Sequence, residues 1–354
     1  MHRELIKSNN IYFIFPYSKE KRGFCKTINY VETKTNIPYV KSILYIIRSF
    51  NIFRKLVNQN RIDVVITDYF SFFFPIFFLG RNNKPKFILD CRTPLFDEEQ
   101  NKVSFQIKLW INELALWYNW KYHDGISLIS EELYTRFKII TKGNIHRNYF
   151  IWPSGVNSKI FVPMNRKVIN NNFDLFFHGG FSTNRGLIEF ISAMPDILKI
   201  IPQAKLRLLG DGPIKQKLFE LINIYSLNGT VEIVNSVKSD YVPKYIAESN
   251  CCILPYPKTE YWENNVPLKI LEYMAMCKPI IATRLKIFER ITNNEKFCVF
   301  IDNNSIENIV KGVKYAYDHY SALEQEGEKA RKIILQKYEW SIIATGFDKY
   351  INLL

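Results

Sequence analysis

Twice along this chain, short apolar segments alternate with stretches of helical periodicity, and a polar stretch separates the two runs. In the first run, 11–15 (I-Y-F-I-F), 62–67, 86–90, 125–129 and 149–152 are too short and too uniformly apolar for surface helices and read as buried strands. Helical spacing fills the intervals at 40–58 and 103–122, and from Glu131 onward behind a capping Ser130. The second run has strands at 175–177, 206–209, 231–234, 251–254 and 278–283, with helices at 187–199 and 214–225. Strands joined through helices lie parallel in a sheet covered on both faces. The pattern therefore predicts an α/β chain of two parallel-sheet domains, 1–161 and 173–337. A linker at 162–172 (V-P-M-N-R-K-V-I-N-N-N) joins them, and a helix at 338–354 closes the chain. Residues 17–36 read as a loop, and the aromatic run 70–79 as a buried helix.

The formal charge of +14 is unevenly spread: residues 1–160 hold 24 Lys and Arg against 13 Asp and Glu, residues 161–354 hold 24 against 21. A basic first half suits a phosphorylated substrate, an anionic membrane or nucleic acid. No zinc-finger spacing or RNA-binding signature accompanies it, so nucleic acid is not expected. The basic side of 40–58 (Lys41, Arg48, Arg54, Lys55) fits either a solvated helix face or a membrane-surface helix. No run approaches the ~18–20 apolar residues of a membrane helix. The N-terminus lacks an apolar signal core, and the six cysteines form no C-x-x-C pair. A cytoplasmic protein with reduced core thiols is expected, peripheral at the inner membrane face if the basic half meets lipid.

One stretch gathers the features of a binding site: 263–284, E-N-N-V-P-L-K-I-L-E-Y-M-A-M-C-K-P-I-I-A-T-R. Asn264 or Asn265 can cap a helix, and Pro267 suits its first position. The helix start presents free N–H groups and a partial positive charge, to which Lys269 adds a full one. Glu272, about one turn on, can accept hydrogen bonds from sugar hydroxyls. Gly179-Gly180 and Arg185-Gly186 lie between a strand and a helix, where glycine lets backbone approach a phosphate and Arg can grip it. Gly210 belongs to the turn G-D-G-P, which reads equally well as structural. Asp90 and Arg92 end a strand, where they can face a ligand or form a salt bridge that caps the strand end. His123 reads as structural and His178 borders the glycine loop. The chain has no D-x-D, P-loop, G-x-S-x-G or H-E-x-x-H, and no metal is expected.

The segment P-L-K-I-L-E-Y-M-A-M-C-K-P-I-I-A-T resembles the donor-binding motif of retaining family 4 (group 1) glycosyltransferases, in the subgroup reading P-x-K-x-x-E-Y-M-A-x-G-K-P-V-V-A-T. Cys277 stands in the Gly position. Glu272 matches the second Glu of the family's Glu-x7-Glu, while Asn264, with Glu263 beside it, occupies the first. H-G-G-F-S-T-N-R-G resembles the family's G-R-x-x-x-x-K-G loop, with Arg185 in the Lys position and Gly180 in the Arg position. I-W-P-S-G-V-N resembles I-P-N-G-V-D, and L-L-G-D-G-P resembles L-x-G-x-G-P.

The resemblance, over roughly 85–354, implies a GT-B fold: two Rossmann-like doubly wound domains facing across a cleft. It implies a nucleotide-diphosphate sugar as donor substrate, no cofactor and no metal. The acceptor would be a glycan or lipid-linked oligosaccharide, as in cell-surface polysaccharide synthesis, and the anomeric configuration would be retained. Gly179, Gly180, Arg185, Lys269 and the helix start at Asn265, Val266 and Leu268 would hold the diphosphate. Glu272 would hold the ribose, Asn235 and Ser236 the base, with Gly210 in the neighbouring turn. Asn264 and Glu263 would border the transferred sugar, Asp90 and Arg92 the acceptor. Two other readings stay open: a sugar-nucleotide epimerase of the same fold, and a non-enzymatic basic protein binding membrane or nucleic acid.

Overall fold

The apolar runs do become strands, and all paired strands are parallel among the described residues of the computed structural model: 12–16, 28–31, 38–59, 62–69, 71–82, 84–92, 103–164 and 172–354. The chain divides into two units, Met1–Pro153 with Trp340–Leu354, and Ser154–Glu339. The division falls before the predicted 161/162 boundary because residues 154–161 bond within the second unit. Val156 N–H donates to Tyr338 O, Ser158 N–H to Glu339 Oε2, and Arg331 to the carbonyls of Phe161 and Ser158. Residues 165–171, most of the predicted linker, lie outside the described residues.

In the first unit, β1 (Phe13–Pro16) pairs with β2 (Ile28–Val31) in a two-stranded sheet. β2 lies in the stretch read as loop, its four residues too short to stand out from polar neighbours. β3 (Val64–Thr67), β4 (Lys86–Cys91), β5 (Gly125–Leu128) and β6 (Tyr149–Ile151) form a second sheet in chain order. The aromatic run is not an α-helix. Only Phe74–Phe78 is helical, as a 3₁₀ turn that opens at Pro75 and buries Phe74 and Phe78 against Phe53 and Phe87. Helix Pro38–Gln59 packs through Phe50 and Phe53, but Ile43 and Ile47, which share their helical spacing, are exposed.

The closing helix begins at Trp340, not 338, because Ile334–Tyr338 forms a wider π turn and Glu339 is extended. Its Ile343, Ala344, Phe347 and Tyr350 share a buried cluster with Ile88 and Trp152. Tyr350 Oη donates to Asn148 O at 3.1 Å.

The second unit holds a six-stranded sheet: β7 (Phe173–Gly180), β8 (Ala204–Asp211), β9 (Val231–Val234), β10 (Cys251–Leu254), β11 (Ile280–Thr283) and β12 (Cys298–Ile301), in the order β12-β11-β10-β7-β8-β9. β12 and the helices Lys286–Thr292, Ile306–Asp318 and Tyr320–Ile333 extend it beyond the strands read from sequence. The chain winds one way from β7 to β9 and the other from β10 to β12. β7 and β10 are therefore neighbours at the point where the winding reverses, and a crevice lies at their carboxyl ends.

Helix Leu268–Ala275 starts later than predicted. Pro267 is its extended cap residue, without a side-chain cap, and Asn264 and Asn265 lie outside it. It ends in a Schellman turn: Lys278 N–H donates to Tyr273 O at 3.1 Å, and Cys277 N–H to Met274 O at 3.1 Å. That turn needs a left-handed residue, and Cys277 takes it at φ 55°. A side chain there costs ~1–2 kcal/mol that glycine avoids. Cys277→Gly should raise unfolding free energy by about 1 kcal/mol in urea titration, against glycine's greater unfolded-state entropy; a loss of stability would contradict this account of the turn.

Candidate functional site

The crevice between β7 and β10 collects most of the predicted donor-side residues. β7 ends in His178-Gly179-Gly180, and Gly179 pairs in register with Gly210 of β8. Gly210 and Gly212 are both needed: a Cβ on Gly210 would lie 2.0 Å from Gly179 O, and one on Gly212 2.3 Å from Phe181 O. Phe181 N–H donates to Asp211 O at 2.8 Å, locking the two turns together. Gly210 therefore has a packing role. A cavity of about 270 Å³ lies above these turns, lined by His178, Gly179, Gly180, Gly210, Ser236 and Val237 among others. Gly180 is exposed and open around its Cβ direction. Asn235 is exposed, and its Oδ1 accepts from Lys215 Nζ at 2.7 Å.

Gly179 makes room for Lys269. A Cβ on Gly179, which has φ 117°, would fall 2.3 Å from Lys269 Cε and 2.6 Å from Nζ. The ammonium thus lies against bare backbone, 5.5 Å from the Phe177 ring centre. Burial, then the positive charge of Arg185, lower its pKa to about 8, while Glu272 acts the other way.

Glu272 Oε2 lies 3.0 Å from His178 Nε2, an ion pair when the imidazole is protonated. His178 N–H donates to Tyr273 Oη at 3.3 Å. His178 therefore touches the carboxylate that the motif singles out, a pairing that spacing along the chain could not reveal.

Arg185 ends a 3₁₀ turn, Thr183–Arg185, and Gly186 follows at φ 68°. A Cβ on Gly186 would sit 1.7 Å from Pro255 O, so glycine alone lets this loop press onto the end of β10. The Arg185 guanidinium carbon lies 4.4 Å from the Trp262 ring centre and 5.0 Å from that of Tyr256. Both aromatic residues are fully buried, and neither drew notice in the sequence, where nothing distinguishes them from core residues.

Residues 263–268 take more varied places. Asn264 ends the short helix Glu260–Asn264, and its Nδ2 donates to Glu260 O at 2.7 Å. Glu263 Oε2 accepts from Lys286 N–H at 2.8 Å, at the start of the next helix. Asn265 is extended, Val266 is buried with its carbonyl accepting from Ser154 Oγ at 3.3 Å, and Leu268 is half-exposed at the helix start.

Asp90 and Arg92 stand at the end of β4 in the first unit. Asp90 Oδ1 accepts from Ser127 Oγ at 2.7 Å, and burial raises its pKa. Arg92 donates to Trp152 O and lies over the Trp152 ring at 4.9 Å. His123 is a core residue: Nε2 lies 3.0 Å from Thr67 Oγ1, and burial lowers its pKa to about 4.

Residues 172–319 match the family model described as glycosyl transferases group 1. An uncharacterized glycosyltransferase of Methanocaldococcus jannaschii is 27% identical over 301 residues, covering 81% of this chain and 71% of that protein. Sucrose-phosphate synthase of Thermosynechococcus elongatus superposes with TM-score 0.73 at 17% identity, covering 92% of this chain and 82% of the other. HepE of Anabaena in complex with UDP superposes with TM-score 0.74 at 12% identity, covering 97% and 100%; it has also been solved with UDP-glucose. The fold, mixed α/β with parallel sheets in both units, is GT-B. The sequence matches support a group 1 glycosyltransferase.

A lysine at about 8 should stand apart from its neighbours. In an NMR titration of ¹³C-dimethylated lysines, the resonance absent from a Lys269→Arg variant should titrate near pH 8, and Arg185→Gln should move it upward. A Lys269 midpoint above pH 10 would mean that its ammonium is solvated.

Proposed function

We propose that this chain is a retaining, metal-independent family 4 glycosyltransferase that moves a sugar from a nucleotide-diphosphate donor to an acceptor hydroxyl. The observation that carries this reading is the Lys269 ammonium laid on the bare backbone of Gly179, within electrostatic reach of Arg185. Two like charges brought together out of water oppose each other, and an anion between them offsets the cost. The diphosphate is such an anion, and the first N–H groups of helix Leu268–Ala275 add to its field. As the glycosidic bond to the diphosphate breaks, negative charge grows on the leaving oxygens, so the same cations favour the transition state over the bound donor. Glu272, braced by His178, takes the ribose hydroxyls. Ser236, which lines the cavity, and Asn235 beside it take the base. Asn264 and Glu263 border the transferred sugar, and Asp90 and Arg92 serve the acceptor side. UDP is the first nucleotide to try, because HepE binds it.

The acceptor in this reading is a glycan or lipid-linked oligosaccharide presented at the inner face of the cell membrane, for cell-surface polysaccharide synthesis. No helix among the described residues is long and apolar enough to cross a membrane. Contact with lipid is supported instead by the outer face of helix Val103–Tyr122, whose other face buries Ala115 and Leu116. Asn112 and Asn119 are buried while Ile107, Trp110, Trp117 and Trp120 are exposed, Trp110 at 63%. Tryptophan favours the boundary between headgroups and acyl chains. Exposed Arg48, Arg54 and Lys55 on helix Pro38–Gln59 supply cations for anionic headgroups.

Incubation with radiolabelled UDP-sugars and a lipid-linked acceptor extract should give labelled glycan and free UDP. Epimerised nucleotide sugar without acceptor labelling would instead favour the epimerase of the same fold. Glu272→Ala should cut transfer roughly 100-fold or more, given ~1.5–3 kcal/mol per hydrogen bond to a charged group. Its circular dichroism should be unchanged, and full activity would remove this carboxylate from the mechanism. In vesicle flotation, the pair Trp110→Ala and Trp117→Ala should reduce binding to anionic vesicles at least tenfold. Unchanged binding would remove this helix from the membrane contact.

A further inference from the structure

The aromatic residues around Arg185 do more than fill space. Tyr256 follows β10 and Trp262 lies in helix Glu260–Asn264, with ring centres 4.2 Å apart. Both rings lie within 5.0 Å of the Arg185 guanidinium carbon, so the cation rests on two π systems at once. Trp262 is tied to the same loop a second time: its indole N–H donates to Asn184 O at 2.8 Å, one residue before Arg185. On the loop's other side Gly186 abuts Pro255, the residue before Tyr256. The loop 182–186 is thus fixed to the 255–262 segment at its backbone, at its glycine and at its one cation.

We propose that Trp262 and Tyr256 are positioning residues that hold Arg185 with its N–H edge turned toward the donor diphosphate. This rests on the functional reading above and adds a role that the motif positions do not contain. Stacking fixes the plane of a guanidinium and leaves its in-plane N–H groups free for a bidentate anion. The need is acute in this chain, because Gly180 stands where the resembling loop carries a second cation. With one arginine at the turn, its orientation decides much of the diphosphate grip. An unsupported arginine must lose side-chain entropy on binding, and the aromatic clamp removes that cost beforehand.

The test is calorimetric binding of UDP and GDP beside uridine and guanosine, which lack the diphosphate. The variants are Trp262→Leu and the more conservative Trp262→Phe, which keeps a ring face and loses the N–H donor. Thermal unfolding of each reports whether the buried site still folds. Trp262→Leu should weaken the nucleoside diphosphate roughly 5- to 30-fold, as expected for a desolvated cation–π contact, and leave the nucleoside within about twofold. Trp262→Phe should fall between. In an Arg185→Ala background either change should have no further effect on the diphosphate, because the clamp then has nothing to hold. Equal losses for nucleoside and diphosphate, or an undiminished Trp262→Leu effect without Arg185, would overturn the positioning role. Wild-type protein that binds neither diphosphate would instead overturn the donor-site reading itself, and this inference with it.

Discussion

Lys269 occupies the space where a side chain on residue 179 would begin, and the candidate site depends on that steric fact. A β-strand ending in two glycines leaves bare backbone, so a lysine from a separate helix can lay its ammonium on the turn. The neighbouring strand must end in glycine too, because Gly210 packs on the Gly179 carbonyl. Gly186 repeats the device against Pro255. Gly210 and Gly186 thus bring backbone onto backbone more closely than any side chain allows, and Gly179 admits the charge.

The electrostatics follow from this geometry. Burial and Arg185 together destabilise the Lys269 ammonium, and Glu272 on the next turn partly restores it. His178 Nε2 in turn lies 3.0 Å from Glu272 Oε2. A desolvated ammonium beside a helix start is an arrangement that favours an anion. Surface lysines of this chain, such as Lys311 and Lys314, instead pair with carboxylates four residues away on their own helices, which adds little to stability.

Much of this was legible before any coordinates. The alternation of strand and helix gave parallel sheets, and Val103–Tyr122, Val231–Val234 and Cys251–Leu254 have the limits read from the sequence. Misreadings fell where local pattern and tertiary context disagree. Ile43 and Ile47 have helical spacing but face solvent. Residues 154–161 look like the tail of the first domain, yet their hydrogen bonds run to Tyr338, Glu339 and Arg331. Pro267 was placed inside its helix and proved to be the cap residue, since extended backbone precedes it.

The sequence by itself determined the chemistry available: a lysine and a glutamate three residues apart on a helix, glycines at strand ends, an arginine in the loop after a strand. These are local facts, fixed by spacing. Only the tertiary structure decided which of them meet. Residues 178 and 272, or 185 and 262, are far apart in the chain and carry no mutual signal in a single sequence. Their contact depends on the order β12-β11-β10-β7-β8-β9, which sets β7 beside β10 and aims the segments that follow both strands at one crevice.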